Sequence, residues 1–416
     1  MLKCGLLGEK LGHSYSPQIH SMLGDYEYKL YERTPAETEV FLRHGEFDGL
    51  NVTIPYKKTA FALCDAVSRQ ARKLGSVNTI AVRKDAEGNR ILYGDNTDYA
   101  GFLALVRRSR VDATGCKCLV LGSGGASVTV CAVLEDLGAA EVIVISRSGA
   151  ENYENLNRHA DADLVVNTTP VGMYPNNGER PLDLKTFSGL RAVFDIVYNP
   201  ARTALMLQAE ELGIPSFGGL YMLVAQAEAA SRIFTAKDPA HPDLDPLKSA
   251  AEIQRIYELL DAQQQNIVLI GMPGCGKSSV AAELARLTGC EKIDADEEIE
   301  RRTGKLIPEI FAEGGESLFR RLETEVLADL GKRSGVILAT GGGCVTRPEN
   351  YPLLHQNGRI VWIQRDLELL AKEGRPISLS KDISQIYVER KELYEKFADA
   401  VAVNDGTPAE CAEKIL

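Results

Sequence analysis

Short apolar runs alternate along this chain with longer stretches in which apolar residues return at helical spacing. Runs too short to build a helix read as strands, and steady strand–helix alternation predicts an α/β protein with parallel sheets. In the first hundred residues, strands are expected at 3–7, 49–54 and 77–82, with helices over 16–23 and 35–42. From Cys116 the pattern is strand, Gly-rich turn, helix over 126–137 and strand over 141–145, with further strands at 164–167, 192–195 and around 215–216. Pro239, Pro242 and Pro246 interrupt the chain near a candidate boundary at 235–245. Beyond it Leu247, Ile253, Ile256, Leu259 and Leu260 recur at helical spacing, so this helix is expected to pack on the first half. Polar Gln263, Gln264 and Gln265 then lead into the run Ile267-Val268-Leu269-Ile270, which puts the junction at about residue 264. There is no internal repeat.

Composition narrows the class. A chain of 416 residues suits two or three domains. The net charge of −11, without any basic stripe, excludes nucleic acid as a partner, because displacing counterions needs a basic face. The apolar stretch at the start is too short for a signal peptide, and no run approaches the ~18 apolar residues of a membrane span, so no membrane partner and a cytoplasmic location are expected. Nine cysteines are scattered without metal-ligand spacing; Cys116 and Cys118 fall on one strand around Lys117 and make a poor chelate.

Two glycine-rich loops carry the candidate chemistry. Gly122-Ser123-Gly124-Gly125-Ala126-Ser127 follows the apolar run Cys118-Leu119-Val120-Leu121 and opens a helix, the arrangement in which backbone N–H groups hold a pyrophosphate. Ser127 replaces the third glycine of the usual pattern. At the end of the next strand an acidic residue would suit the ribose of NAD; Ser146-Arg147-Ser148 stands there instead and favours the 2′-phosphate of NADP. Gly271-Met272-Pro273-Gly274-Cys275-Gly276-Lys277-Ser278 fits the ATP-binding P-loop. Gly274, Cys275, Gly276 and Ser279 would wrap the phosphates, Lys277 would reach the β and γ oxygens, and Ser278 would ligate Mg²⁺.

Around the first loop stand Ser14-Tyr15-Ser16-Pro17, Asn51-Val52-Thr53-Ile54-Pro55-Tyr56-Lys57, Ser76-Val77-Asn78-Thr79, Asn96-Thr97-Asp98, Asn167-Thr168-Thr169-Pro170, Asp195-Ile196-Val197-Tyr198-Asn199-Pro200 and Gly219-Leu220-Tyr221-Met222. In this order, over about residues 2–260, they resemble the shikimate dehydrogenase family. The resemblance implies Lys57 as the catalytic lysine with Asp98 as its acidic partner. It further implies Ser14 and Ser16 as binders of the substrate carboxylate, and Thr53, Asn78, Tyr198 and Gln226 as pocket residues. Gly122, Gly124, Gly125, Ala126, Ser146, Arg147 and Gly219 would hold NADP(H). The family often carries a second basic residue after Arg147, where this chain has Glu151.

Around the second loop, Asp294 and Asp296 close a strand, and Gly315-Glu316-Ser317-Leu318-Phe319-Arg320-Arg321-Leu322-Glu323, Gly341-Gly342-Gly343, Gly374-Arg375-Pro376 and Arg390-Lys391-Glu392-Leu393-Tyr394 follow. Over residues 265–416 these resemble shikimate kinase. Asp294 would then organise Mg²⁺, and Asp296 would hold the attacking hydroxyl. Arg320 and Arg390 would clamp the substrate carboxylate, Glu323 would orient Arg320, and Arg321 would be a solvated neighbour. The Gly342 backbone would approach the ring closely, and Arg375 would close over ATP from a lid that is short, at about 371–381. Adenine contacts are expected near Asn404 and Asp405.

Together these readings predict three parts. A substrate-binding α/β subdomain spans 1–100 and is completed by helices at about 220–262. A Rossmann NADP-binding subdomain covers 101–219, and a P-loop kinase domain covers 265–416. The chain would reduce 3-dehydroshikimate with NADPH and phosphorylate the shikimate formed with ATP and Mg²⁺. The rival readings are a quinate/shikimate dehydrogenase using NAD fused to the kinase, and a catalytically silent regulatory fusion.

Overall fold

Every apolar run singled out above becomes a strand, and the strands collect into three sheets in a computed structural model that describes residues 1–12, 14–370 and 382–416. The chain divides into two units. One comprises Met1–Val171, Pro181–Tyr198 and Gln208–Leu259; the other comprises Gly172–Arg180, Asn199–Leu207 and Leu260–Leu416.

The first unit holds two sheets. Strands β1 (Lys3–Gly8), β2 (Glu27–Glu32), β3 (Gly49–Val52), β4 (Ala66–Val67), β5 (Thr79–Lys84) and β6 (Arg90–Asp95) form a sheet of order β2-β1-β3-β5-β6-β4. This sheet is mixed, not parallel as the strand–helix alternation suggests, because β5 runs antiparallel to both β3 and β6. For β6 the reason is local: Asp85 Oδ1 accepts from the N–H groups of Glu87 (3.0 Å) and Asn89 (2.7 Å), a turn that folds β6 straight back on β5. The strand expected over 49–54 stops at Val52, and Thr53 opens a turn whose carbonyl accepts from Tyr56 N–H at 2.9 Å.

The second sheet is parallel, with strands β7 (Lys117–Leu121), β8 (Glu141–Ile145), β9 (Leu164–Asn167), β10 (Ala192–Asp195) and β11 (Ser216–Gly218) in the order β11-β10-β9-β7-β8. The Gly-rich loop leaves β7, the strand between β9 and β8, and enters the helix Gly125–Asp136. Ser127 is buried in that helix, where the expected third glycine would pack.

The helix predicted after the proline cluster is Pro246–Gln264. The Arg108 guanidinium lies over the rings of Tyr221 and Tyr257, at 4.7 and 4.4 Å, and its Nε donates to Gln254 Oε1 at 3.3 Å. Ile253, Ile256 and Leu260 are buried as expected, but Leu247 and Leu259 are exposed. The division between units falls inside this helix, between Leu259 and Leu260, a few residues before the expected junction.

The second unit is built on a parallel sheet of β12 (Asn266–Ile270), β13 (Glu291–Asp294), β14 (Val336–Ala339), β15 (Gly358–Gln364) and β16 (Ala400–Val403), ordered β13-β14-β12-β15-β16. Central strand β12 is covered on both faces, and Val268, Leu269 and Ile270 sit in a core with Trp362 and Tyr394. Within the same unit, the stretch Asn199–Leu207 is bound to the start of β15. Ala201 N–H donates to Asn357 Oδ1 (2.8 Å) and Arg202 Nη1 to His355 O (2.7 Å). Among the described residues no helix is long and apolar enough to cross a membrane.

Candidate active sites

In the first unit, Ser14, Ser16, Thr53, Lys57, Asn78, Asp98, Tyr198, Gly219 and Gln226 all border one cavity of about 220 Å³. Strand ends and helix starts place them. Ser16 opens the helix Ser16–Leu23, and its N–H donates to Ser14 Oγ at 3.2 Å. Lys57 is the first residue of the helix Lys57–Leu63, and Asp98 lies in the first turn of the helix Thr97–Ser109, where a carboxylate is favoured by the helix dipole. Their side chains meet at 2.5 Å, Lys57 Nζ to Asp98 Oδ2, partly open to the cavity. The Asn78 carbonyl oxygen accepts from Thr97 N–H (2.7 Å) and Thr79 Oγ1 (3.0 Å), which leaves its NH₂ group available to a ligand.

A layer beneath this pocket is not evident in the sequence. Asn51 borders the cavity, yet is itself buried; its Oδ1 accepts from Tyr28 Oη at 2.7 Å and its Nδ2 donates to Thr79 Oγ1 at 3.2 Å. Burial raises the Tyr28 phenol well above the tyrosine range. His20 stacks on Tyr28 with ring centroids 4.0 Å apart, and burial lowers its imidazole to about 3, so it stays neutral. A polar Asn inside an apolar strand run was the available signal for Asn51; nothing local marks Tyr28.

The dinucleotide loop has room above it. A Cβ added at Gly124 or at Gly125 would meet nothing within 4 Å. Gly122 N–H donates to Ile145 O at 2.8 Å, tying the loop to the end of β8, from which Ser146 and the exposed Arg147 follow. Ala126 lies in the first turn of the helix that the loop enters.

In the second unit a larger cavity, about 440 Å³, is bordered by Gly274, Gly276, Lys277, Ser278, Ser279, Asp294, Asp296, Arg320, Gly342 and Arg390. Gly274 and Gly276 have φ of +85° and +96°, the left-handed region that turns the loop's N–H groups inward. Cys275 does not join them. Its side chain is in the core, its N–H donates to Met272 O (3.2 Å), and its carbonyl accepts from Asn404 Nδ2 (2.8 Å). Asn404, expected near the adenine, thereby also braces the loop, and Asp405 is paired with Lys414 at 3.1 Å. Gly342 borders the cavity, but its lack of a side chain has another reason: a Cβ there would lie 2.7 Å from Pro273 of the P-loop. Arg375 lies outside the described residues.

The charges of this cavity are layered. Lys277 Nζ donates to Gly271 O (2.9 Å) and Met272 O (3.1 Å), and Ser278 Oγ donates to Asp294 Oδ2 at 2.6 Å. Glu316, Arg320 and Glu323 share one face of the helix Ile307–Leu330. Arg320 Nη1 donates to the buried Glu323 at 2.6 Å, and its Nε and Nη2 to Glu316 Oε1 at 3.3 and 3.2 Å. Burial outweighs Arg320 and raises the Glu323 carboxyl. Arg390 Nη1 donates to Gly342 O at 3.0 Å. Asp296 is raised to about 6, chiefly by burial, then by the Glu323 and Asp294 carboxylates, against the pull of Lys277 and Arg320.

A family model for shikimate kinase matches residues 273–416, and one for the shikimate dehydrogenase substrate binding domain matches residues 6–80. A shikimate dehydrogenase (NADP(+)) of Clostridium perfringens is 36% identical over 251 residues, 55% of this chain and 91% of that protein. Among solved structures, a chorismate mutase/shikimate 5-dehydrogenase fusion protein from Clostridium acetobutylicum is 34% identical. It aligns over 62% of this chain and 96% of its own, with a TM-score of 0.55. Shikimate 5-dehydrogenase from Thermus thermophilus, solved in complex with NADP(H) and shikimate, is 30% identical over 62% of this chain and all (100%) of its own, with a TM-score of 0.52. The chain belongs to the shikimate dehydrogenase family and continues into a shikimate kinase domain, a bifunctional enzyme of the shikimate pathway.

Proposed function

We propose that the first site reduces 3-dehydroshikimate to shikimate with NADPH, and that the second transfers phosphate from ATP to the shikimate formed. The observation that carries the reading is the Lys57–Asp98 pair at 2.5 Å on the same cavity as Ser14, Ser16, Thr53, Asn78, Tyr198 and Gln226. NADPH supplies the hydride, held by the loop Gly122 to Ala126, with Ser146 and Arg147 toward its 2′-phosphate and Gly219 beside the pocket. Ser14 and Ser16 take the substrate carboxylate. The Lys57 ammonium stabilises the alkoxide as it develops at the carbonyl oxygen and gives it a proton, while the Asp98 carboxylate holds that ammonium in place.

At the second site ATP supplies the phosphoryl group and Mg²⁺ offsets its charge. Ser278 and Asp294 suit Mg²⁺, a hard cation that takes one or two protein oxygens and completes its shell with phosphate and water. Arg320 and Arg390 hold the shikimate carboxylate. Asp296, with an Oδ1 that is buried and unpartnered, accepts the hydroxyl proton. Lys277 exchanges its loop carbonyls for phosphate oxygens. Both reactions draw on NADPH and ATP pools, which supports a cytoplasmic location.

Initial rates of 3-dehydroshikimate reduction with NADPH and with NADH test the dehydrogenase assignment. A clear advantage for NADPH is expected. Equal rates with NADH, together with oxidation of quinate by NAD, would favour the quinate/shikimate reading.

A further inference from the structure

Immediately past the end of β15 stands an arginine that none of the roles above uses. Arg365 borders the second cavity, and its Nη1 lies 3.7 Å from where a Cβ on Gly276 would be. Strand β15 pairs with β12, with Trp362 opposite Ile270, so the chain leaving β15 and the P-loop leaving β12 emerge side by side. The Arg365 side chain is half-buried, its Nε is buried without a partner, and among the described residues the guanidinium has no hydrogen bond or ion pair. Neighbouring carboxylates are engaged elsewhere: Asp366 Oδ1 accepts from Glu368 N–H at 3.0 Å, and Asp405 pairs with Lys414.

A partly desolvated guanidinium with nothing to neutralise it is unfavourable, and the imbalance is relieved when an anion binds. The other cations of the cavity already have partners: Lys277 the loop carbonyls, Arg320 two glutamates, and Arg390 the Gly342 carbonyl. Among the described residues, Arg365 is therefore the uncompensated charge on the wall next to the phosphate loop. We propose that Arg365 is a nucleotide-binding residue that grips the ATP polyphosphate from the Gly276 side of the P-loop, as a second cation beside Lys277. The planar fork of arginine suits two phosphate oxygens at once. This inference rests on the kinase reading of the cavity.

The test uses the full chain and the variants Arg365→Ala and Arg365→Lys. It measures KM for ATP and for shikimate in phosphorylation, and the affinity of a fluorescent ADP analogue in titration. Arg365→Ala should raise KM for ATP and weaken the ADP analogue about tenfold, the effect of losing a charge-assisted contact. KM for shikimate and the rate of 3-dehydroshikimate reduction should stay within about twofold, and Arg365→Lys should recover part of the loss. A purely structural role would move both Michaelis constants together. That result, or an unchanged affinity for the ADP analogue in Arg365→Ala, would overturn the inference while leaving the kinase reading intact. A wild-type chain that binds no ADP analogue would remove the kinase reading and the inference with it.

Discussion

Lys57 and Asp98 lie 41 positions apart in sequence and meet at 2.5 Å, because each lies in the first turn of a helix that begins at the rim of one pocket. Lys57→Ala should lower 3-dehydroshikimate reduction by at least about a hundredfold and leave phosphorylation of added shikimate unchanged, as read in separate NADPH and ATP assays. Asp296 offers a prediction with a sign. Its carboxyl is at about 6 in the folded chain against an ordinary value of 3.8. An acid with a raised folded-state value binds its proton more tightly when folded, so its help to stability is present at low pH and lost as pH rises through that window. Asp296→Asn is neutral throughout. It should therefore melt above wild type at about pH 7.5, with that advantage shrinking as pH falls below about 6 and gone only below the ordinary value of 3.8, as scanning calorimetry would show. Residues whose chemistry sits in a compact motif, such as Lys57, Lys277 and Arg320, were legible in the sequence. Tyr28 and Arg365 were not, because each looks ordinary where it stands and gains its place from a strand neighbour distant in sequence. Cys275 shows what a motif leaves unsaid: the P-loop pattern concerns its backbone N–H, while its apolar side chain belongs to the core.

At the level of elements, the two parallel sheets were the most readable part. Central strands such as β7, β9 and β12 are covered on both faces and so appear as near-continuous apolar runs, whereas β13, Glu-Lys-Ile-Asp, and the largely exposed edge strand β16 present no such run. Strands β8, β9 and β10 have the predicted bounds. The first sheet was harder. Edge strand β2, Glu-Tyr-Lys-Leu-Tyr-Glu, is only partly buried and mixes charge with apolar residues, so it has no run to find. The polar turn before β6 hid a hairpin that makes the sheet mixed. The P-loop likewise depends on an element far along the chain, since Asn404, just past β16, holds the Cys275 carbonyl. Asn404→Ala should cost the kinase unit about 1–2 kcal/mol, the usual penalty for leaving a buried carbonyl unpaired. Denaturant unfolding followed by loss of phosphorylation would measure it, with a shift in midpoint expected and none if the brace is idle.

On the scale of the whole molecule, the order of motifs revealed two machineries, but not how the chain is shared between units. Gly172–Arg180 and Asn199–Leu207 lie within the stretch expected to form the NADP-binding subdomain, yet they count with the second unit. No periodicity could have shown this, because the contacts are made by single polar groups, Arg202 on the His355 carbonyl and Asn357 on the Ala201 N–H. The central claim is that one chain holds two consecutive activities. The most direct test gives the purified protein 3-dehydroshikimate, NADPH and Mg²⁺, then adds ATP, while NADPH absorbance and product mass are followed. The account predicts NADPH oxidation before ATP is added, and shikimate 3-phosphate only afterwards. NADPH oxidation without any phosphorylated product after ATP, or no oxidation with either nicotinamide cofactor, would contradict it.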